Sequence, residues 1–98
     1  MTVSEFKSSL NQEKPPRGLS PALMALWWLG KNDWDKAHNI VMSADDTASA
    51  WIHAHLNRTE GDLENARYWY RQADREPATG DFAAEWEVIA ATLLATPC

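Results

Sequence analysis

Along most of the chain, apolar residues recur every three or four positions, the spacing that gathers side chains on one face of an α-helix. Ala48, Trp51, Ile52 and His55 fall on one side of such a helix, with Ala54 and Leu56 at its flanks. Gly61 can take the left-handed conformation that ends a helix, and Asp62 directly after it offers a side-chain oxygen to the first amides of the next. Leu63, Ala66, Tyr70 and Ala73 then follow at spacings of three, four and three, with Trp69 at the edge, until Pro77 removes a backbone donor. The stretch from Ala50 to Asp74 therefore reads as helix, tight turn and helix. Small Ala residues at the centre of the second face let two helix axes approach closely.

The same grammar extends in both directions. Ser20 followed by Pro21 is a cap and a first-turn proline, and Leu23, Leu26, Trp27 and Gly30 form an inward stripe. Asn32 and Asp33 interrupt it, after which Trp34, Ala37, Val41 and Ala44 line a second face with Ile40 beside them. Residues 76–80, EPATG, break the pattern before Asp81 caps a last helix bearing Phe82, Trp86, Ile89, Ala90 and Leu93, which Thr96 and Pro97 stop. The spacing predicts five helices over about 20–31, 33–44, 47–60, 62–75 and 81–95, a single all-α domain spanning 19–96. Residues 1–18 are polar, carry Pro15, Pro16 and Gly18, and hold only Val3, Phe6 and Leu10 as a sparse apolar series. They are expected to form a flexible tail, with a short, loosely docked helix as the alternative.

Two segments repeat. Residues 32–45, NDWDKAHNIVMSAD, set above residues 61–74, GDLENARYWYRQAD, match Asp33 with Asp62, Ala37 with Ala66, Ala44 with Ala73 and Asp45 with Asp74, always 29 positions apart. Val41 stands opposite Tyr70. All four identities lie at cap or core positions, as two copies of one helix-pair unit would place them. The run GDLENARYWYRQA is similar to the second half of a tetratricopeptide repeat, in which Gly61, Asp62, Ala66, Tyr70 and Ala73 hold the turn and packing positions. Asn32, Asp33, Ala37, Val41 and Ala44 follow the same frame, and Trp51 resembles the aromatic of a first helix. The period of 29 departs from that family's 34. The resemblance implies a short α–α superhelix of two helical hairpins closed by a C-terminal capping helix, and a binding role. The longer run AWIHAHLNRTEGDLENARYWY also resembles a small group of uncharacterised bacterial single-domain proteins, in which a further His is expected where this chain has Asn57; it implies no activity.

Composition narrows the partners. Fourteen acidic against nine basic residues leave a net charge of −5 over 98 residues, the wrong sign for gripping a phosphate backbone, so nucleic acid is not an expected partner. Six Trp predict an aromatic-rich core. Cys98 is the single cysteine, which leaves no intramolecular disulfide or cysteine-based metal site and fits a reducing cytoplasm. No run of about 18 apolar residues marks a membrane span and no apolar segment near the N-terminus marks an export signal. No cofactor motif is present.

Candidate chemistry lies in three places. His55 projects from the middle of an apolar stripe, either as a core imidazole bonded to a buried carbonyl or indole, or as a group lining a pocket. His53 lies about 160° around the same helix and is expected to face solvent. His38 flanks the second helix's apolar face and can meet His55 across the two hairpins, the basis of a metal or acid–base alternative. Arg67, Arg71 and Arg75 recur every four residues and form either an anion site or a solvated face laced by Glu64 and Asp74. Trp27 and Trp28 are adjacent and cannot both enter one core, so one reaches another surface or packs under the N-terminal segment. No phosphate loop, nucleophile elbow or paired metal-binding His motif occurs. The leading expectation is a non-enzymatic module whose groove between the first, third and fifth predicted helices accepts a peptide or partner protein. Trp28, Trp51 and His55 are its candidates, with Arg67, Arg71 and Arg75 as an independent site. A homodimer is a further option, and the alternative is a small enzyme or metal-dependent protein using His38 and His55.

Overall fold

The computed structural model describes residues 1–95, which form six helices: α1 (Val3–Ser9), α2 (Pro21–Gly30), α3 (Trp34–Met42), α4 (Thr47–Thr59), α5 (Leu63–Gln72) and α6 (Phe82–Ala95). The fold is all-α, with no strand among the described residues. Helices α2 to α6 fall within the five predicted spans, each shorter by up to three residues at an end. Thr96, Pro97 and Cys98, on which the expected helix stop and the cysteine argument rest, lie outside the described residues. Ser20, Asp33, Asp46 and Asp62 each cap the helix that follows, accepting from the backbone N–H three residues on. No helix among the described residues is long and apolar enough to cross a membrane.

The repeat seen in the sequence is a repeat of local structure. Asn32 and Gly61 both take left-handed backbone, at φ 62° and 81°. Asp33 N–H donates to the Trp28 carbonyl and Asp62 N–H to the Asn57 carbonyl, each at 2.9 Å, and all these partners stand 29 positions apart. Behind the turns, Ala37 and Ala66 are buried, as are Val41 and Tyr70. Gly61 avoids the Cβ penalty of its backbone, so Gly61→Ala is expected to cost about 1–2 kcal/mol. Urea unfolding of the two proteins checks this.

Pairing follows from these turns: α2 packs on α3, and α4 on α5. Helices α2, α4 and α6 contact one another, and α4 also meets α3. Because α4 has neighbours on every side, all residues from Ser49 to Asn57 are buried. The ends of two stripes stay outside the core: Leu63 and Phe82, in the first turns of α5 and α6, are exposed.

The N-terminal segment is anchored by α1. Thr2 and Glu5 form a reciprocal capping box. Phe6 is fully buried and stacks on Trp86, ring centroids 5.6 Å apart, while Ser9 Oγ accepts from the Trp27 indole at 3.0 Å. Lys31 Nζ donates to the Leu10 carbonyl at 2.7 Å and the Gln12 carbonyl at 3.0 Å, satisfying acceptors past the end of α1. Gly30 makes room: a Cβ there would sit 2.9 Å from Leu10 Cδ1 and 3.1 Å from Trp86 Cζ2. Of the adjacent tryptophans, Trp27 is buried beneath α1 and Trp28 is half-buried under Lys36, whose Nζ lies 4.0 Å from its ring centroid. Phe6→Ala is expected to release α1 alone. Amide exchange should then accelerate over residues 3–12 while α2–α5 keep their protection.

Candidate functional site

An acidic residue buried on the apolar face of α6 organises the site. Glu85 lies one turn after Phe82 and one turn before Ile89, and its side chain is 4% exposed. A buried carboxylate is costly unless its charge and lone pairs are met, and side chains from two neighbouring helices meet them here. From α4, His55 Nδ1 approaches Oε1 at 2.6 Å and Arg58 Nη1 donates to the same oxygen at 3.0 Å. From α5, the Tyr70 hydroxyl donates to Oε2. Arg58 also donates to the Gly80 carbonyl at 2.5 Å and lies over the Phe82 ring, tying the loop before α6 into the cluster. Burial alone would raise the Glu85 pKa, but the hydrogen bonds from His55, Tyr70 and Arg58 outweigh it and hold the carboxyl below its ordinary range. Burial first, and then the bond to Glu85, pushes the Tyr70 phenol well above its usual pKa, so it stays a neutral donor.

Beside this cluster a cavity of about 530 Å³ opens between α2, α4 and α6, with α1 at one end. Leu10, Leu29, Gly30, Trp34, Phe82 and Trp86 give it largely apolar walls. His55 is also in the wall. Its Nδ1 is engaged by Glu85, and no hydrogen bond to its other ring nitrogen, Nε2, is formed among the described residues. Lys7 and Glu87 stand at the rim as an ion pair at 2.9 Å, and Asn32 and Thr59 add neutral polar groups. The volume lies within the range of sites that enclose a small molecule or side-chain-sized groups.

The other histidines form a separate arrangement, and two expectations are corrected by it. His38 does not meet His55: it stacks on Trp34, centroids 4.6 Å apart, and meets His53 edge to face at 5.2 Å. His53 does not face solvent. Its ring lies flat on Trp69 at 4.0 Å, because α3 and α5 close over the side of α4 opposite His55. Burial, and then the neighbouring His38, lower the His53 pKa to about 4. Asn57, one turn further along α4, has a buried Oδ1 with no hydrogen-bond partner. Among the described residues no group of three or more His, Cys, Asp or Glu is placed to hold a metal ion.

Trp28 and Trp51 do not line the cavity. Trp51 is buried, and the Arg75 guanidinium covers its ring at 4.0 Å. That contact takes Arg75 out of the arginine row by giving it a cation–π role. Arg67 and Arg71 are exposed, and neither forms an ion pair with Glu64 or Asp74 among the described residues. The pattern of apolar spacing missed Glu85 and Arg58 and read Tyr70 only as core. The available signal was an acidic residue within the stripe Phe82, Trp86, Ile89, since a charge at such a position needs buried partners. Compared with known proteins, the chain matches no family model, no curated protein and no solved structure.

Proposed function

We propose that the chain is a non-enzymatic module that binds a peptide or a segment of a partner protein in the groove between α2, α4 and α6. The observation that carries this reading is how the groove treats α1. One polypeptide segment already docks at its end, through an aromatic anchor on Trp86, an apolar side chain against Gly30, and a lysine that takes up two backbone carbonyls. Beyond Leu10 the same walls continue into the cavity, which suits a side-chain anchor from a second segment. Helical hairpins with an apolar groove recognise peptides through a few buried anchors and a polar rim. The tetratricopeptide-like arrangement belongs to the same proposal and is supported by the twin turns 29 positions apart. So does a cytoplasmic setting, supported by the single cysteine of the sequence.

Titrating the ¹⁵N-labelled protein with a panel of capped hexapeptides tests the proposal. Peptides with an apolar anchor are expected to shift the amides of Leu29, Gly30, Thr59 and Ala83, and Ala83→Trp, which fills the cavity from α6, should abolish those shifts without unfolding the protein. Shifts confined to the exposed face around Arg67 and Arg71, or unaffected by Ala83→Trp, would contradict it.

A further inference from the structure

We propose that the cavity is a pocket for a phenol, so that the anchor it takes is a tyrosine side chain whose hydroxyl donates a hydrogen bond to His55 Nε2. The proposal rests on the peptide-binding reading above and names the chemistry of its anchor.

The buried cluster constrains what His55 can offer. Arg58 already supplies a positive charge at Glu85 Oε1, and Tyr70 already donates to Oε2. What the carboxylate takes from the imidazole is its Nδ1–H, at 2.6 Å. A neutral ring with its proton on Nδ1 carries its lone pair on Nε2. The same relation between carboxylate and imidazole orients histidines in metal sites and in hydrolase triads, where the far nitrogen is the one that works. Here that nitrogen belongs to a side chain on the wall of the cavity. In that tautomer the wall of the cavity holds an acceptor whose ring is oriented by a buried carboxylate rather than left mobile.

The remaining walls select among donors. Trp34, Phe82 and Trp86 provide aromatic surface, and Leu10 and Leu29 aliphatic surface, around the space. Such walls favour a flat ring over a hydrated group. An ammonium could donate to Nε2 but would leave water for an apolar cavity, at a high desolvation cost. A carboxylate finds no donor on a lone-pair nitrogen and meets the negative Glu85 behind it. The rim offers no free charge to reverse these preferences, because Lys7 and Glu87 are paired with each other. A phenylalanine ring matches the walls yet strands the Nε2 lone pair away from water, which a site built around a hydroxyl penalises. Phenol satisfies both conditions: a ring for the walls and one O–H for the acceptor.

The test uses the full chain and two probes of equal size, p-cresol, which is the tyrosine side chain, and p-xylene, which carries methyl in place of hydroxyl. Both are titrated into ¹⁵N-labelled protein, with 4-methylanisole as an oxygen-bearing probe that lacks the proton. The expected result is that p-cresol shifts the amides of Leu29, Gly30, Thr59 and Ala83 and binds about tenfold more tightly than either of the others, the worth of one hydrogen bond to a buried acceptor. In His55→Asn, whose amide keeps a donor near Glu85 and has no atom at the Nε2 position, p-cresol should fall to the level of p-xylene. The comparison of three probes on the unaltered protein stands even where that variant does not fold. Equal affinity for p-cresol and p-xylene overturns the phenol assignment and leaves the peptide groove in place. No shift at these amides with any probe also overturns it, and the hexapeptide titration then decides the groove separately.

Discussion

Glu85→Ala is expected to be the most damaging single substitution in the protein, lowering folding stability by about 3–5 kcal/mol. The wild-type carboxylate accepts from His55, Arg58 and Tyr70, and it is itself almost inaccessible. Alanine removes the acceptor of His55, Tyr70 and Arg58 Nη1 alike, leaving Arg58 only its bond to the Gly80 carbonyl, and a buried donor that loses its partner forfeits its solvation as well as its bond. A domain of this size has a total stability of roughly 5–15 kcal/mol, so the variant should lose a large share of it and unfold at a much lower urea concentration. Glu85→Gln is the informative control. Its carbonyl oxygen can still accept, but its amide nitrogen faces a donor, and the charge opposite Arg58 is gone, so the loss should be smaller yet clear. Urea unfolding followed by tryptophan fluorescence reads both variants. A loss under about 1 kcal/mol for Glu85→Ala would mean that the cluster does not hold α4, α5 and α6 together.

Acidification should produce the second large effect, through His53. In the folded protein its pKa is depressed to about 4 from an ordinary value of 6.5. Between those values the unfolded chain binds a proton that the folded chain refuses, so stability is complete above pH 6.5 and falls as the pH drops towards 4. The gap corresponds to a loss of roughly 3 kcal/mol. For a domain of this size each kilocalorie moves Tm by roughly 4–8 °C. His53→Phe keeps a flat ring on Trp69 and removes the titrating group, so this slope should vanish. Glu85 acts in the adjoining window. Its depressed pKa means that its contribution is present above the unfolded carboxyl value of 4.5 and is lost as the pH falls through the folded value. A second loss below pH 4.5 should therefore survive in His53→Phe. Tm measured across pH 3–8 for the two proteins separates the windows, and an unchanged slope between pH 6.5 and 4 in the variant would contradict the assignment to His53.

The helices were legible because their signals are local. Ser20–Pro21, Asp33, Asp62 and Gly61 each act within one turn, and the structure uses them as caps and turns. The repeat was legible for the same reason: 29 positions separate both the residues and the hydrogen bonds they make. What spacing within one helix does not contain is what the neighbouring helices bring. His53 lies opposite His55 on α4, and its burial depends on Trp69 of α5 and His38 of α3. The His55–Glu85 pair joins positions 30 apart on helices that meet only in the folded chain. Likewise, the three apolar residues Val3, Phe6 and Leu10 mark a possible helix, while its docking depends on a gap at Gly30 and a ring at Trp86.

In the proposed site, Glu85 fixes His55 so that Nε2 presents a lone pair to the cavity. Long-range ¹H–¹⁵N correlation spectra of histidine-labelled protein near neutral pH test it directly, since a protonated and an unprotonated ring nitrogen resonate far apart. His55 is expected to carry its proton on Nδ1, with Nε2 unprotonated and Nε2 alone shifting markedly when p-cresol is added. A proton on Nε2 with Nδ1 bare, or an Nε2 resonance indifferent to the phenol, would contradict it.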